Sequence, residues 1–103
     1  MKFQSQKIIN ILRNIIDIME SSDEPDAVYY HDFFQFMLGE LNKPHDIVKI
    51  SENILKAYGG MTTFSDVTLY KGEIYLEEEQ SKFTNLRTEL FLACEEAVLD
   101  ARN

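Results

Sequence analysis

The sequence is poor in several residue types, and each shortage excludes a class of site. Cys94 is the only cysteine, so neither an internal disulfide nor a cysteine-based zinc site can form. His31 and His45 are the only histidines. Neither belongs to a His-x-x-x-His, paired-carboxylate or nucleophile-elbow pattern. We therefore expect no enzyme activity, no metal and no cofactor.

Basic residues are also scarce, with ten against eighteen acidic ones and a net charge of −8. Nucleic-acid binding needs basic surface to displace counterions, so we expect no nucleic-acid partner. No apolar run reaches the ~18 residues of a membrane span. Residues 1–4 lead into an amphipathic pattern rather than a signal peptide, which favours a cytoplasmic protein. Such acidity serves either solubility or a basic protein partner.

Apolar residues are present at helical spacing, which predicts a single domain over residues 1–103. A first amphipathic helix covers residues 7–20. A second follows the loop 21–26, with Asp23 as its N-cap and Pro25 in its first turn. It carries a wide apolar arc rich in aromatic side chains: Tyr29, Tyr30, Phe33, Phe34, Phe36, Met37, Leu38 and Leu41.

A third helix follows the break at residues 42–44 and ends at Gly59, because Gly59-Gly60 is a stop signal with Met61 packed back onto the helix. A two-residue turn at Lys71-Gly72 would pair Leu69 with Ile74 and Val67 with Leu76, which puts these four on one face of a β-hairpin. Glu77-Glu78-Glu79 then starts the last helix, whose apolar stripe includes Cys94 as a core residue. The sequence thus predicts a mostly α fold, a compact four-helix domain with one small β-hairpin between helices 3 and 4.

Tyr58-Gly59-Gly60-Met61 followed by Phe64-x-Asp66 resembles the hallmark of a family of small, mostly uncharacterised bacterial proteins, which reads roughly Gly-Gly-Met-Gly-Ser-Phe-Asn-Asp. The likeness extends through Leu69-Tyr70-Lys71 to Leu86-Arg87, Leu90 and Cys94. Thr62 and Thr63 stand where the family usually has Gly and Ser. Members look like cargo of toxin–immunity loci, including contact-dependent growth inhibition systems. The resemblance implies an immunity protein that neutralises a cognate toxin.

One candidate partner surface lies between Asn14 and Asn42, a segment without Lys or Arg that holds seven acidic residues. A basic partner would associate faster in this field, and a nuclease cleft is the natural partner because it must attract phosphates. Aromatic anchors at the edge of the second helix complete the set: Asp17, Glu20, Asp23, Glu24, Asp26, Tyr29, Asp32 and Phe36. The alternative is an ordinary solvated loop and helix start.

A second candidate surface consists of Glu73, Glu77, Glu78 and Glu79, on the hairpin and the first turn of the last helix. Helix-dipole compensation explains the same residues without a partner. The predicted mechanism is occlusion of a basic, nuclease-type toxin domain, by a monomer that becomes a heterodimer with the toxin.

Two other functions compete with this hypothesis. A small hydrolase could use His31, His45 and Asp66, although Asp66 fits better as an acceptor of loop amide hydrogen bonds. His31 and Asp32 are adjacent in a helix, about 100° apart, so we expect no direct pairing between them. A regulatory module could instead self-associate through the Phe-rich second helix.

Overall fold

Four helices and a small hairpin make up the fold in the computed structural model, which describes residues 2–59 and 63–102. This confirms the predicted fold class. In chain order the elements are α1 (Lys2–Met19), α2 (Pro25–Leu41), α3 (Ile47–Lys56), a 3₁₀ turn (Phe64–Asp66), β1 (Tyr70–Lys71), β2 (Ile74–Tyr75) and α4 (Glu77–Arg102).

The long helix α4 is the spine of the domain. Its 26 residues extend about 39 Å at the usual rise of a helix, nearly the long dimension of the 46 × 25 × 19 Å molecule. It packs on α1 and α3, whereas α2 packs on α1 and only sparsely on α3. The Gln4 amide donates to the Asp100 carboxylate, so the start of α1 lies beside the end of α4.

The start of α2 differs from the prediction. Glu24, and not Asp23, occupies the N-cap position, and its side chain makes no capping hydrogen bond. Pro25 is in the first turn as predicted. Both carboxylate oxygens of Asp23 instead accept the Gly72 amide, at 3.0 Å each. Asp23 therefore stabilises the hairpin rather than the helix.

The third helix starts later than predicted and ends without a left-handed glycine. Asp46 is its N-cap and accepts the Val48 and Lys49 amides at 3.0 and 3.3 Å. The helix ends in an ordinary right-handed conformation at Ala57. Among the described glycines, Gly39, Gly59 and Gly72, only Gly72 has a positive φ, 60°. Residues 60–62 lie outside the described residues, so the predicted packing of Met61 does too.

The hairpin register is one residue away from the predicted one. The turn is Gly72-Glu73, with Tyr70 opposite Tyr75 and Lys71 opposite Ile74. Gly72 adopts the left-handed conformation that this turn needs, at no steric cost. The shift pairs Ile74 with Lys71 instead of Leu69, and 69% of Ile74 is exposed beside the turn.

The α1–α2 loop holds the hairpin in place. The Tyr70 carbonyl accepts the Ser22 hydroxyl at 2.7 Å and the Asp23 amide at 2.9 Å. The Tyr70 amide donates back to the Ser22 hydroxyl at 3.1 Å. An isolated two-stranded hairpin is marginal in water, and here the loop takes the place of a third strand.

Phe64 lies at the centre of the core and is fully buried. Its ring centroid is 4.7 Å from that of Phe34, 5.2 Å from Tyr58 and 5.5 Å from Phe83. Arg87 packs its guanidinium against the Phe83 ring and donates to the carbonyls of Phe64 and Val67 at 3.0 and 3.2 Å. The segment after α3 is thereby fixed to α2 and α4 together.

We expect Ser22→Ala to destabilise the protein by about 1–3 kcal/mol, because the Tyr70 amide loses its acceptor and the Tyr70 carbonyl keeps only the Asp23 amide as donor. Urea denaturation measures this loss, and amide exchange at Tyr70 should accelerate. Ser21→Ala is the matched control, since the Ser21 hydroxyl bonds only the Ile18 carbonyl within its own helix turn. Equal effects of the two substitutions would contradict the docking role of Ser22.

Candidate functional site

Hairpin docking joins parts of the two predicted acidic groups into one surface. We call residues 22–26 and 70–79 the acidic pole, since they lie where α1 ends and α2 and α4 begin. These two segments contain seven acidic residues and one lysine, so they carry −6 of the net charge of −8. The Asp23–Gly72 hydrogen bonds connect the two halves. Glu73, Glu77 and Glu78 are exposed here, and Glu79 is partly buried.

The hairpin of the acidic pole carries three exposed apolar or aromatic side chains. Tyr70, Ile74 and Tyr75 are 37%, 69% and 45% exposed. The two tyrosine rings lie 5.5 Å apart. The error in register concealed only Ile74, which it assigned to the core, since Tyr70 and Tyr75 lie on the opposite face of the hairpin in either register. The glycine at position 72, followed by a polar residue, was the sequence signal for the observed turn.

His31 bridges α1 and α2 on another side of the molecule. Its Nε2 lies 3.0 Å from Glu20 Oε2 and its Nδ1 lies 3.1 Å from Asp32 Oδ1. The expectation that His31 and Asp32 would not pair is wrong, because both side chains are long enough to lean together across the angle between their Cβ atoms. Burial alone would lower the pKa of His31, but the hydrogen bonds and charges of Glu20 and Asp32 outweigh it, and the pKa is raised.

The remaining residues of the first candidate set lie elsewhere. Asp17 faces a groove between α1 and α4 that Lys82 also lines. Tyr29 and Phe36 project from α2 with 64% and 63% of each residue exposed. They line a groove between α2 and α3, together with Lys56. The first candidate set is therefore distributed over several faces, and only its loop residues Asp23, Glu24 and Asp26 belong to the acidic pole.

The residues of the hydrolase hypothesis have separate partners. His45 Nε2 lies 2.9 Å from the Ser5 hydroxyl and its Nδ1 lies 2.7 Å from the Lys43 carbonyl. The Ser5 hydroxyl thus faces Nε2. The Lys43 carbonyl can only accept a hydrogen bond, so it places a ring proton on Nδ1. Ser5, however, lies within α1 and is only 8% exposed. The contact ties α1 to the α2–α3 loop. Asp66 accepts the Thr63 amide at 3.5 Å, as predicted for this residue.

Cys94 is fully buried, as predicted for a core residue. Burial raises the pKa of its thiol to about 12, so the thiolate that a nucleophile requires does not form near neutral pH. In residues 2–59 and 63–102, no group of three or more His, Cys, Asp or Glu side chains could hold a metal ion. None of the described helices combines the length and apolar character needed to cross a membrane.

Comparisons with protein-family models, with curated proteins and with solved structures found no match to this chain.

We expect His31→Gln to destabilise the protein more at acidic than at alkaline pH. A raised pKa in the folded state adds stability that is fully present below the unfolded value of about 6.5 and is lost as pH rises through the folded pKa. Since Glu20 and Asp32 are largely exposed, solvent screening limits the difference to about 0.5–1 kcal/mol. Urea denaturation at about pH 5.5 and about pH 8.5 measures it on either side of the histidine range.

The control repeats the His31→Gln comparison in a Glu20→Gln/Asp32→Asn background. There the two pH values should give the same loss. A loss that is independent of pH in the native background would contradict the bridging role of the two carboxylates.

Proposed function

We propose that the protein is an immunity protein, which binds a cognate basic toxin domain, of nuclease type, and blocks its active site or substrate cleft. The observation that carries this proposal is the acidic pole, where seven acidic residues surround exposed Tyr70, Ile74 and Tyr75. The resemblance of the Tyr58-to-Asp66 segment to a family of small, mostly uncharacterised bacterial proteins that look like cargo of toxin–immunity loci supports the same function. Its site of action would be the cytoplasm.

The composition of the acidic pole suits inhibition by occlusion. Net negative charge at one end of an elongated molecule orients a basic partner and accelerates its approach. Tyrosine side chains supply large contact areas at small entropic cost and are common energetic centres of interfaces. Ser22 and Asp23 hold the hairpin against the helices, which limits the entropy lost on binding.

The position of Asp23 determines how this surface can be tested. Removing its carboxylate would release Gly72 and disturb the hairpin, so a loss of binding would have two explanations. Glu77 and Glu78 are better positions, because both are exposed and make no side-chain hydrogen bond or salt bridge within the described part of the chain.

Co-expression tests the function. The probes are the products of the genes on either side of this one, each produced in a sensitive bacterium with and without this protein. We expect one of them to be a toxin domain that stops growth, and growth to be restored when this protein is produced with it. Continued killing by that toxin domain at equal expression of this protein would contradict the proposal.

We expect Glu77→Gln/Glu78→Gln to slow association with that toxin domain about fivefold at low salt, because charge near an interface acts mainly on the association rate. The salt dependence of the rate should also decrease. Glu95→Gln/Glu96→Gln is the matched control, an adjacent pair of exposed glutamates towards the other end of α4. Surface plasmon resonance with an inactive toxin variant measures both rates.

Equal association rates for the two glutamine variants would show that the acidic pole is not part of the interface. Such a result would leave the restored growth in the co-expression experiment unaffected, so the site and the function are tested separately.

A further inference from the structure

A second surface with its own chemistry lies between α2 and α3, at a distance from the hairpin. We call it the α2–α3 groove. One end has a volume of about 530 Å³ and is lined by Tyr29, Phe33, Phe36 and Lys56. The other end has about 210 Å³ and is lined by Phe36, Glu40, Lys43 and Lys49. Phe36, Met37 and Asn53 line both ends, so the groove is continuous.

The two walls of the groove differ in chemistry. Tyr29, Phe33 and Phe36 follow one another at helical spacing along the α2 wall, and Tyr29 and Phe36 are about two-thirds exposed. Lys49 and Lys56 stand seven residues apart on the α3 wall, with Asn53 between them. Neither lysine has a carboxylate within 4.0 Å among the described residues. The groove therefore favours an apolar helix flanked by carboxylates.

Helix α2 of a second copy has this composition. Its exposed side carries Asp26, Tyr29 and Phe36. Glu40, further along the helix, is partly buried and forms a salt bridge with Lys43 at 3.1 Å, which pairing with a lysine of the second copy would replace. An isologous contact requires the same surface to offer both complementary features. Here the aromatic side chains can fill the other copy's groove, while the acidic residues of α2 approach the lysines of α3.

An antiparallel arrangement of the two α2 helices determines which charged residues of the two copies meet. Lys56 lies at the Tyr29 end of the groove and Lys49 at the Phe36 end. When the second copy's α2 runs in the opposite direction, its Asp26 approaches Lys49 and its Glu40 approaches Lys56. The two acidic poles, at the N-terminal ends of α2, then point away from each other.

We infer that the protein forms a homodimer, in which Tyr29 and Phe36 of each copy occupy the α2–α3 groove of the other and Lys49 and Lys56 pair with the second copy's Asp26 and Glu40. This departs from the monomer expected from the sequence. It does not rest on the proposed function, because the acidic pole apart from Asp26 stays exposed in the dimer.

Sedimentation velocity of the full chain, from about 5 to about 500 µM, should show a monomer converting to a dimer, since interfaces of modest size bind in the micromolar range or tighter. We expect Tyr29→Ala/Phe36→Ala to remain monomeric throughout. Leu92→Ala/Leu99→Ala is the matched control, because these residues are also exposed, apolar and seven positions apart, but lie on α4. The control should dimerise as the wild type does.

Charge exchange tests the pairing itself. Lys49→Glu/Lys56→Glu and Asp26→Lys/Glu40→Lys should each weaken self-association at least tenfold. An equimolar mixture of the two variants should form a heterodimer, because one chain then has only acidic and the other only basic side chains at these positions. Far-ultraviolet circular dichroism confirms that each variant is folded.

Three results would overturn the dimer. The first is a wild-type protein that stays monomeric at about 500 µM, a concentration well above typical specific dissociation constants. The second is a Tyr29→Ala/Phe36→Ala variant that dimerises as strongly as the control. The third is a pair of charge variants that do not associate when mixed. The first result would assign the groove to an acidic helix of another protein.

Discussion

The fold depends on how Phe64 is enclosed. Phe64 touches aromatic rings from α2, from α4 and from Tyr58 just after α3, so it joins the segment between α3 and the hairpin to the core. Arg87 reinforces this contact because it packs on the Phe83 ring and donates to two carbonyls of the same segment. Buried backbone carbonyls need such partners, and a side chain from the spine helix provides them here.

The two surfaces follow from this arrangement. Since Arg87 and Phe64 fix the segment after α3 on α4, the following strand reaches the α1–α2 loop, where Ser22 and Asp23 bind it. That contact assembles the acidic pole. On the other side, α2 and α3 both approach Phe64, but they touch each other only sparsely, which leaves the α2–α3 groove open between them.

Helix positions could be predicted from the sequence, and the side-chain partners at the turns could not. Apolar spacing identified every helix and placed Cys94 and Phe34 in the core, because apolar residues at helical spacing form the face that a helix buries. Asp23 was predicted to be a helix cap. Its carboxylate can accept a hydrogen bond either from a nearby helix amide or from an amide 49 positions away in the chain, and the local sequence does not distinguish the two. The error in the hairpin register had the same cause, and it concealed the exposure of Ile74 in the acidic pole. Tyr29 and Phe36 were recognised as exposed aromatic residues, but their basic counterparts on α3 became visible only in three dimensions.

The most direct test of this account compares two phenylalanines by urea denaturation at low micromolar concentration. Phe64→Ala should lower the free energy of unfolding by about 3–5 kcal/mol, as expected when a buried aromatic side chain leaves a cavity. Phe36→Ala removes the same atoms from an exposed position and should cost less than about 0.5 kcal/mol. A loss for Phe64→Ala below about 1 kcal/mol, comparable to an ordinary single substitution, would contradict the central place of this residue in the fold.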